Sequence, residues 1–323
     1  MCAKYEDELR DEDAPKGPRD LTKTTAFRLL SGDPEARVII NFHGNAGNVA
    51  QGWRTDTYRS LSSLHPSIHV ITIDYRGFGK STGSPTQAGL ILDASTLVSY
   101  VIDTLQIPPS RIVIVGQSLG TAVTSAVSLA FTDPQNTTGL IPSVEKEISV
   151  SQREPVRFKG IVMIASFTSL PELLKTYRIA GFFPLFGALR PYPMLRDFLF
   201  KQITEVWPTD ERIEALVRLS WEKAGEVPFS LQLLHAYNDY DIPFSHSIEL
   251  FFAAANGTHY EQLKQPMRTE IQREIRERKP LVEKWRSGKG DEVRLELVGA
   301  GGHNRVVTYS VVQLAVLRAF DLA

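Results

Sequence analysis

The sequence predicts an α/β fold in which a mostly parallel sheet carries helices on both faces. Short runs rich in Val and Ile are continuously apolar, as strands covered on both faces must be. These runs alternate with segments whose apolar residues recur every three and four positions, which indicates helices. The chain has 323 residues, a length that a single α/β domain can occupy.

Six runs are predicted as strands, and two periodic segments are the clearest helices. The strands are Arg37–His43, His69–Tyr75, Arg111–Gly116, Gly160–Ala165, Leu231–Ala236 and Arg294–Val298. The helical spacing is kept by Leu90, Ala94, Leu97, Val98, Val101 and Leu105, and near the C-terminus by Val307, Val311, Leu314 and Ala315. Strand and helix are therefore expected to alternate through most of the chain.

The pattern divides the chain into a tail and one domain with two insertions. Residues 1–21 are charged and rich in turn residues, so we expect a disordered tail. Residues 22–323 form the predicted domain. Within it, residues 171–227 break the alternation and are predicted to form a helical lid or cap, whereas residues 258–292 are a charged insertion.

Composition excludes several classes of protein. The net charge of −1 lacks the basic excess of a nucleic-acid binder. Cys2 is the one cysteine, which excludes an internal disulfide and a multi-cysteine metal site. No apolar run approaches the ~18 residues of a membrane helix, and the charged N-terminus does not read as a signal peptide. We predict no cofactor and no metal site.

A G-x-S-x-G motif, GQSLG at residues 116–120, lies between a predicted strand and a predicted helix. In that context the motif indicates a sharp turn that presents a serine nucleophile, here Ser118. Glycines flank the serine because such a turn leaves little room for neighbouring side chains. A serine hydroxyl is a poor nucleophile near neutral pH, so an acid and a histidine should follow it in the chain.

The candidate base is His303. The histidines that follow the motif are His235, His246, His259 and His303. His303 comes after the last predicted strand, in a glycine-rich loop that precedes the C-terminal helix. A loop at the carboxyl end of a parallel strand can bring a base over the nucleophile. For the other three, a packing or surface role is the simpler interpretation.

The candidate acid lies in the loop after the preceding strand, which offers Asp239 and Asp241. Asp239 is favoured because it is nearer the strand end, with an Ile-Pro pair behind it to anchor the loop. Asp241 remains the alternative, and its other role would be a carboxylate at the start of the next helix.

Two backbone N–H groups are needed where an ester oxygen becomes an anion. Leu119 should supply one, because it follows the nucleophile and starts a helix. The loop HGNAGN at residues 43–48 should supply the other, from Asn45 or, less favoured, Ala46. His43 is interpreted as structural, since it precedes the nucleophile and no other metal-binding residue type stands beside it.

The lid segment contains the stretch GFFPLFGAL, which places four large apolar residues between Gly181 and Leu189. Such a short stretch cannot bury every face, so Phe182 and Phe186 are predicted to contact an acyl chain or a membrane. The alternative is that these residues only pack the lid onto the body of the domain.

Together the motifs resemble a known family. The stretches NFHGNAGN, DYRGFGKSTGSPTQAGLILD, GQSLGTAV, HAYNDYDIPF and GAGGH stand in the order seen in α/β-hydrolase-domain proteins. The sequence is most similar to their lysophospholipase and monoacylglycerol lipase branch, including its fungal members, from about Leu21 to the C-terminus. The resemblance implies an α/β-hydrolase fold with a helical lid. It also implies hydrolysis of lipid monoesters by Ser118, Asp239 and His303.

The resemblance also implies a location at the endoplasmic reticulum membrane. Relatives carry a membrane helix and an antiparallel strand pair before the HGNAGN loop, whereas here only residues 1–42 precede it. The chain is therefore expected to be shortened at its N-terminus, and a soluble, cytoplasmic location is the alternative. The expected partners are a lipid ester and, peripherally, a membrane surface, with no nucleic acid.

Two rival functions compete with lipid hydrolysis. Protein depalmitoylases share similar HGNA and DYRGYG-like motifs, but that branch carries an N-terminal cysteine cluster where this chain has Cys2 alone. A non-catalytic binding protein on a hydrolase scaffold usually lacks a member of the triad, and none is missing here.

Overall fold

The computed structural model describes most of the predicted domain. The described residues are 20–142, 153–179, 183–186, 191–222, 228–256, 258, 261–277, 279–287 and 290–323. The tail predicted over residues 1–21 lies outside them, apart from its last two residues.

The described strands and helices alternate as the sequence predicts. The strands are β1 (Arg37–Phe42), β2 (Ile68–Thr72), β3 (Ile112–Gln117), β4 (Gly160–Ile164), β5 (Arg178–Ile179), β6 (Phe183–Pro184), β7 (Ser230–Ala236), β8 (Leu281–Arg286) and β9 (Glu292–Val298). The helices are α1 (Thr25–Gly32), α2 (Trp53–Ser62), α3 (Gln87–Ser99), α4 (Leu119–Thr132), α5 (Leu170–Thr176), α6 (Pro193–Phe200), α7 (Thr209–Glu222), α8 (Ser245–Ala253), α9 (Lys264–Arg276), α10 (Gly302–Arg305) and α11 (Ser310–Ala319).

Seven strands form the main sheet, in the order β2-β1-β3-β4-β7-β9-β8. All neighbours pair in parallel except β8, which runs antiparallel to β9 at the edge. Strand β8 falls in the segment predicted as a charged insertion, where the sequence analysis expected no strand. Leu281 and Trp285 are buried on one face, which they share with the partly buried Glu283, whereas Val282, Lys284 and Arg286 on the other face are exposed.

The core has two layers, one on each face of the sheet. Val38, Ile40 and Phe42 of β1 point into one layer with α3, α4, α7 and α8, whereas Ile39 points into the other with α2 and α11. Successive side chains of a strand face opposite sides, so a continuously apolar strand fills both layers. The predicted fold class, a mostly parallel sheet with helices on both faces, is confirmed.

The predicted lid segment contains two different kinds of structure. Its last helix, α7, packs against α4 through buried Ile213, Leu216 and Val217, and so belongs to the helix layer. Helix α6 is different, because Met194 and Phe198 are 87% and 59% exposed. Among the described residues of the segment, α7 therefore belongs to the body of the domain, whereas α6 carries exposed apolar side chains.

Candidate active site

The loop after β3 turns sharply at Ser118, which has φ 54° and ψ −121° and immediately precedes α4. A non-glycine residue in this region is strained, which is common where a side chain must be presented. Close backbone contacts leave no room for a side chain at either glycine of the motif. A Cβ on Gly120 would lie 2.0 Å from the Phe42 carbonyl oxygen, and one on Gly116 would lie 2.4 Å from the Gly120 oxygen.

The HGNAGN loop lies beside this turn. A Cβ on Gly44 would lie 3.2 Å from the Ser118 Cβ and 3.8 Å from its Oγ. Among the described residues, neither the Asn45 N–H nor the Leu119 N–H donates a hydrogen bond to a protein group. Both predicted oxyanion donors are thus unoccupied, and the Leu119 N–H lies at the N-terminus of α4, where negative charge is favoured.

The candidate acid and base meet at the same edge of the sheet, after β7 and β9. Asp239 Oδ2 accepts a hydrogen bond from His303 Nδ1 at 2.8 Å. Its other oxygen, Oδ1, accepts the N–H groups of Asp241 and Ile242 at 3.0 and 2.9 Å. Of the two aspartates left open by the sequence, the structure places Asp239 in contact with the His303 ring.

Burial and hydrogen bonding act in opposite directions on this pair. Burial alone would raise the pKa of Asp239, but hydrogen bonds from His235 and His303 outweigh it and hold that pKa well below its usual range. Burial alone would lower the pKa of His303, but the hydrogen bond and the charge of Asp239 outweigh it and raise that pKa. Asp239 is therefore ionised at neutral pH.

Two hydrogen bonds hold the backbone around His303. Gln117 Nε2 donates to the His303 carbonyl at 2.9 Å, and the Gly302 N–H donates to Asn238 Oδ1 at 2.8 Å. No hydrogen bond joins the Ser118 hydroxyl to the His303 ring among the described contacts. Such bonds are commonly long in unliganded sites and shorten when a substrate binds.

His235 is a functional-site residue that the sequence analysis interpreted as a packing histidine. It lies fully buried on β7, and its Nε2 is 3.3 Å from Asp239 Oδ2 and 2.9 Å from the Ile242 carbonyl. Its Nδ1 is 2.7 Å from Ser247 Oγ. Since both neighbours of Nε2 are acceptors, Nε2 carries a proton. The four-residue spacing to Asp239 at the end of a strand could have indicated this contact.

Two further histidines have other contacts. His246 contacts Thr168 Oγ1 at 3.1 Å and Thr176 Oγ1 at 3.2 Å, and burial lowers its pKa to about 4. His43 lies buried against Tyr75 and Phe78, as a structural interpretation expects. His259 lies outside the described residues.

The structure describes one of the two residues that were predicted to contact an acyl chain. Phe182 lies outside the described residues. Phe186 is half-buried, and its ring meets Phe200 edge-on with centroids 5.1 Å apart. This contact lies within the predicted lid segment and tests neither packing onto the body of the domain nor a role in holding an acyl chain, so both stay predictions.

One group of residues in the described chain has the spacing of a metal site. Ligand atoms of Asp239, Asp241 and His303 lie within 4.8 Å of one another. However, both Asp239 oxygens already accept hydrogen bonds, and His303 Nδ1 already donates one. The hydrogen bonds of the Asp239–His303 pair therefore explain why these atoms lie close together.

The chain is similar in sequence to several known proteins. The sequence profile described as "Alpha/beta hydrolase family" matches residues 38–308. Protein bem46 of Schizosaccharomyces pombe is 29% identical over 214 residues, which cover 64% of this chain and 58% of that protein. Lysophosphatidylserine lipase ABHD12 of Bos taurus is 26% identical over 227 residues, which cover 70% of this chain and 48% of that protein.

Among solved structures, the Pyrococcus furiosus esterase Pf2001 superposes with a TM-score of 0.49 at 15% identity. That superposition covers 88% of this chain and 81% of the esterase. The chain spans about half the length of the two sequence relatives, bem46 and ABHD12.

Proposed function

Because the chain belongs to the alpha/beta hydrolase family, we propose that it is a serine hydrolase that cleaves lipid monoesters such as monoacylglycerols or lysophospholipids. The observation that carries the proposal is the 2.8 Å bond between Asp239 and His303 at the sheet edge where Ser118 turns outward. An ionised, buried carboxylate on Nδ1 leaves Nε2 of a neutral His303 free to accept a proton.

The proposed reaction has two halves. Ser118 Oγ attacks the ester carbonyl carbon while His303 Nε2 takes the hydroxyl proton, and the tetrahedral oxyanion is held by the Asn45 and Leu119 N–H groups. The alcohol then leaves with the proton from His303, and the acyl group stays on Ser118. Water next gives a proton to His303 as it attacks the acyl carbon, and His303 returns that proton to Ser118 Oγ as the fatty acid leaves.

The apolar surface of the lid supports a lipid substrate. Met194, Phe198 and Leu195 are all exposed on the eight-residue helix α6, where water contact with apolar side chains is unfavourable. We propose that this face meets the membrane that holds the substrate, and that Phe182 and Phe186 lie along the acyl chain. ABHD12, a relative, is named as a lipase of lysophosphatidylserine, which is a lipid with one acyl chain.

The proposed location rests on the resemblance of the motifs. In the described part of the chain, no helix has both the length and the apolar character needed to cross a bilayer. We propose peripheral association with the endoplasmic reticulum membrane, as the motif resemblance implies.

The test combines active-site labelling with a substrate panel. A fluorophosphonate should label the wild-type protein and fail to label Ser118→Ala, while both proteins keep the same circular dichroism spectrum. The panel contains monoacylglycerols, lysophospholipids, acyl-cysteine thioesters and short p-nitrophenyl esters. Labelling that persists in Ser118→Ala would refute the nucleophile, and thioesters as best substrates would favour a depalmitoylase instead.

A further inference from the structure

A single arginine lies behind the HGNAGN loop. Arg54, near the start of α2, is 5% exposed. Its guanidinium donates to the carbonyl oxygens of Asn48 and Ala46 at 2.8 Å each, and of Gly44 at 3.1 Å. A fourth contact reaches the Asn45 carbonyl at 3.4 Å. Four of the six carbonyls of the loop thus face one cation.

The direction of these carbonyls fixes the direction of the N–H groups. In a planar trans peptide, the C=O of one residue and the N–H of the next point in opposite directions. The Gly44 carbonyl points at Arg54, so the Asn45 N–H points away from it. The Asn45 carbonyl fixes the Ala46 N–H in the same way, and successive N–H groups on one side of a loop form an anion-binding concavity.

A second donor holds the same peptide. His43 Nδ1 lies 2.8 Å from the Gly44 carbonyl oxygen, so it carries a proton and donates. Burial is the main reason why the pKa of His43 is lowered, which keeps the ring neutral. The Tyr75 hydroxyl donates to the His43 carbonyl at 3.1 Å. The Gly44–Asn45 peptide is therefore held from behind, while Gly44 itself lies beside Ser118.

We propose that Arg54 is a positioning residue, which fixes the loop so that the Asn45 N–H is presented to the oxyanion. The inference rests on the proposed serine hydrolase function and extends it to a residue that does not touch the substrate. An arginine suits the task because its planar fork carries five N–H donors and stays protonated even when buried. A lysine at this position would keep the charge, but it has one nitrogen where Arg54 uses two, Nη1 on the Asn48 carbonyl and Nη2 on those of Gly44, Asn45 and Ala46, so it would keep only part of the contacts.

The test compares Arg54→Met and Arg54→Lys with the wild-type protein. Removing one oxyanion donor from a serine hydrolase lowers kcat by about 10²–10³-fold. We therefore expect kcat of Arg54→Met to fall by about 100-fold with KM within about threefold, and that of Arg54→Lys to fall less. The affinity for an alkyl boronic acid, whose tetrahedral adduct mimics the intermediate, should fall in parallel with kcat.

A pH profile separates positioning from general damage to the site. The groups that set the pKa of His303 are its own burial, Asp239 and Asp241, and Arg54 is not among them. The apparent pKa of the acid limb should therefore stay the same in both Arg54 variants. Arg157→Met is the matched control, because Arg157 is also largely buried and pairs with Asp291, remote from the site. It should lower the melting temperature and leave kcat within about twofold.

Two results would overturn the inference. One is Arg54→Lys, or a folded Arg54→Met, with wild-type kcat and boronate affinity. The other is a loss of kcat in Arg157→Met as large as in the Arg54 variants at equal loss of melting temperature. If Arg54→Met does not fold, Arg54→Lys decides the question. Absence of turnover and labelling in the wild-type protein would instead refute the proposed function, and this inference with it.

Discussion

Replacing Asp239 by asparagine tests the acid–base pair most directly, because the structure dictates how the new amide must turn. The Oδ1 side faces two fixed backbone donors, the N–H groups of Asp241 and Ile242. The amide oxygen has to take that side, since an NH₂ group there would face donors only. The NH₂ group is then left facing His303 Nδ1, which must become an acceptor. Its proton moves to Nε2, the atom that should accept the proton of Ser118.

The magnitude follows from this change of tautomer. The corresponding substitution in a well-studied serine protease lowers kcat by about 10⁴-fold, which is about 5.4 kcal/mol of transition-state free energy. We expect a loss of that order for Asp239→Asn. His235 Nε2 also faces the new NH₂ group and loses one acceptor, but it keeps the Ile242 carbonyl at 2.9 Å. The folded state should therefore survive, with a destabilisation of about 1–3 kcal/mol.

Hydrolysis of p-nitrophenyl butyrate measures kcat, and thermal melting confirms that the variant is folded. Asp241→Asn is the matched control, because the Asp241 carboxylate acts on His303 by its charge and not by a hydrogen bond. It should lower kcat by less than about tenfold. If Asp241→Asn is the more damaging of the two, the assignment of the acid is wrong. A kcat above about a tenth of wild type in Asp239→Asn would refute the tautomer argument.

Three further predictions concern pH and the lid. Asp239 raises the pKa of His303, so the base stays protonated to a higher pH than an ordinary histidine. The kcat/KM should therefore rise with pH and reach half of its plateau above ~6.5, the ordinary pKa of histidine. An optimum well below pH 5 would contradict this. Phe186→Asp should lower kcat/KM for long-chain esters by about tenfold or more and spare p-nitrophenyl acetate, since each buried CH₂ contributes ~0.8 kcal/mol; equal losses would assign Phe186 to packing. Phe198→Asp should weaken co-sedimentation with phosphatidylcholine vesicles without changing short-ester turnover, and unchanged sedimentation would remove α6 from the membrane contact.

The sequence predicted the sheet because its strands are encoded locally. A strand buried on both faces favours an apolar run, as in β1, β3 and β4, and all six predicted runs are found as the strands β1, β2, β3, β4, β7 and β9. Strand β8 was not predicted because Leu281 and Trp285 are its buried residues, whereas Glu283, Lys284 and Arg286 give it a charged composition. Its position at the edge of the sheet, beside β9, depends on the tertiary structure.

The sharp turn at Ser118 was also predictable, because the residues that it requires are close together in the chain. The strand, the turn and the helix are adjacent in the chain, and the glycines are demanded by contacts within a few residues or with β1. The order of acid and histidine after Ser118 then narrowed the candidates to His303 and two aspartates. The sequence favours Asp239 because it lies nearer the strand end, and the structure agrees, since Asp239 Oδ2 lies 2.8 Å from His303 Nδ1.

The residues behind the site are what only the tertiary structure decided. His235 looks like any buried strand residue in sequence, yet its Nε2 lies 3.3 Å from the candidate acid. Arg54 looks like a surface arginine of an amphipathic helix, yet its guanidinium binds four carbonyls of the loop that ends β1. A sequence motif records the residues that a sharp turn requires locally. The partners that hold such a turn come from other elements, and the packing of those elements alone determines which side chains reach it.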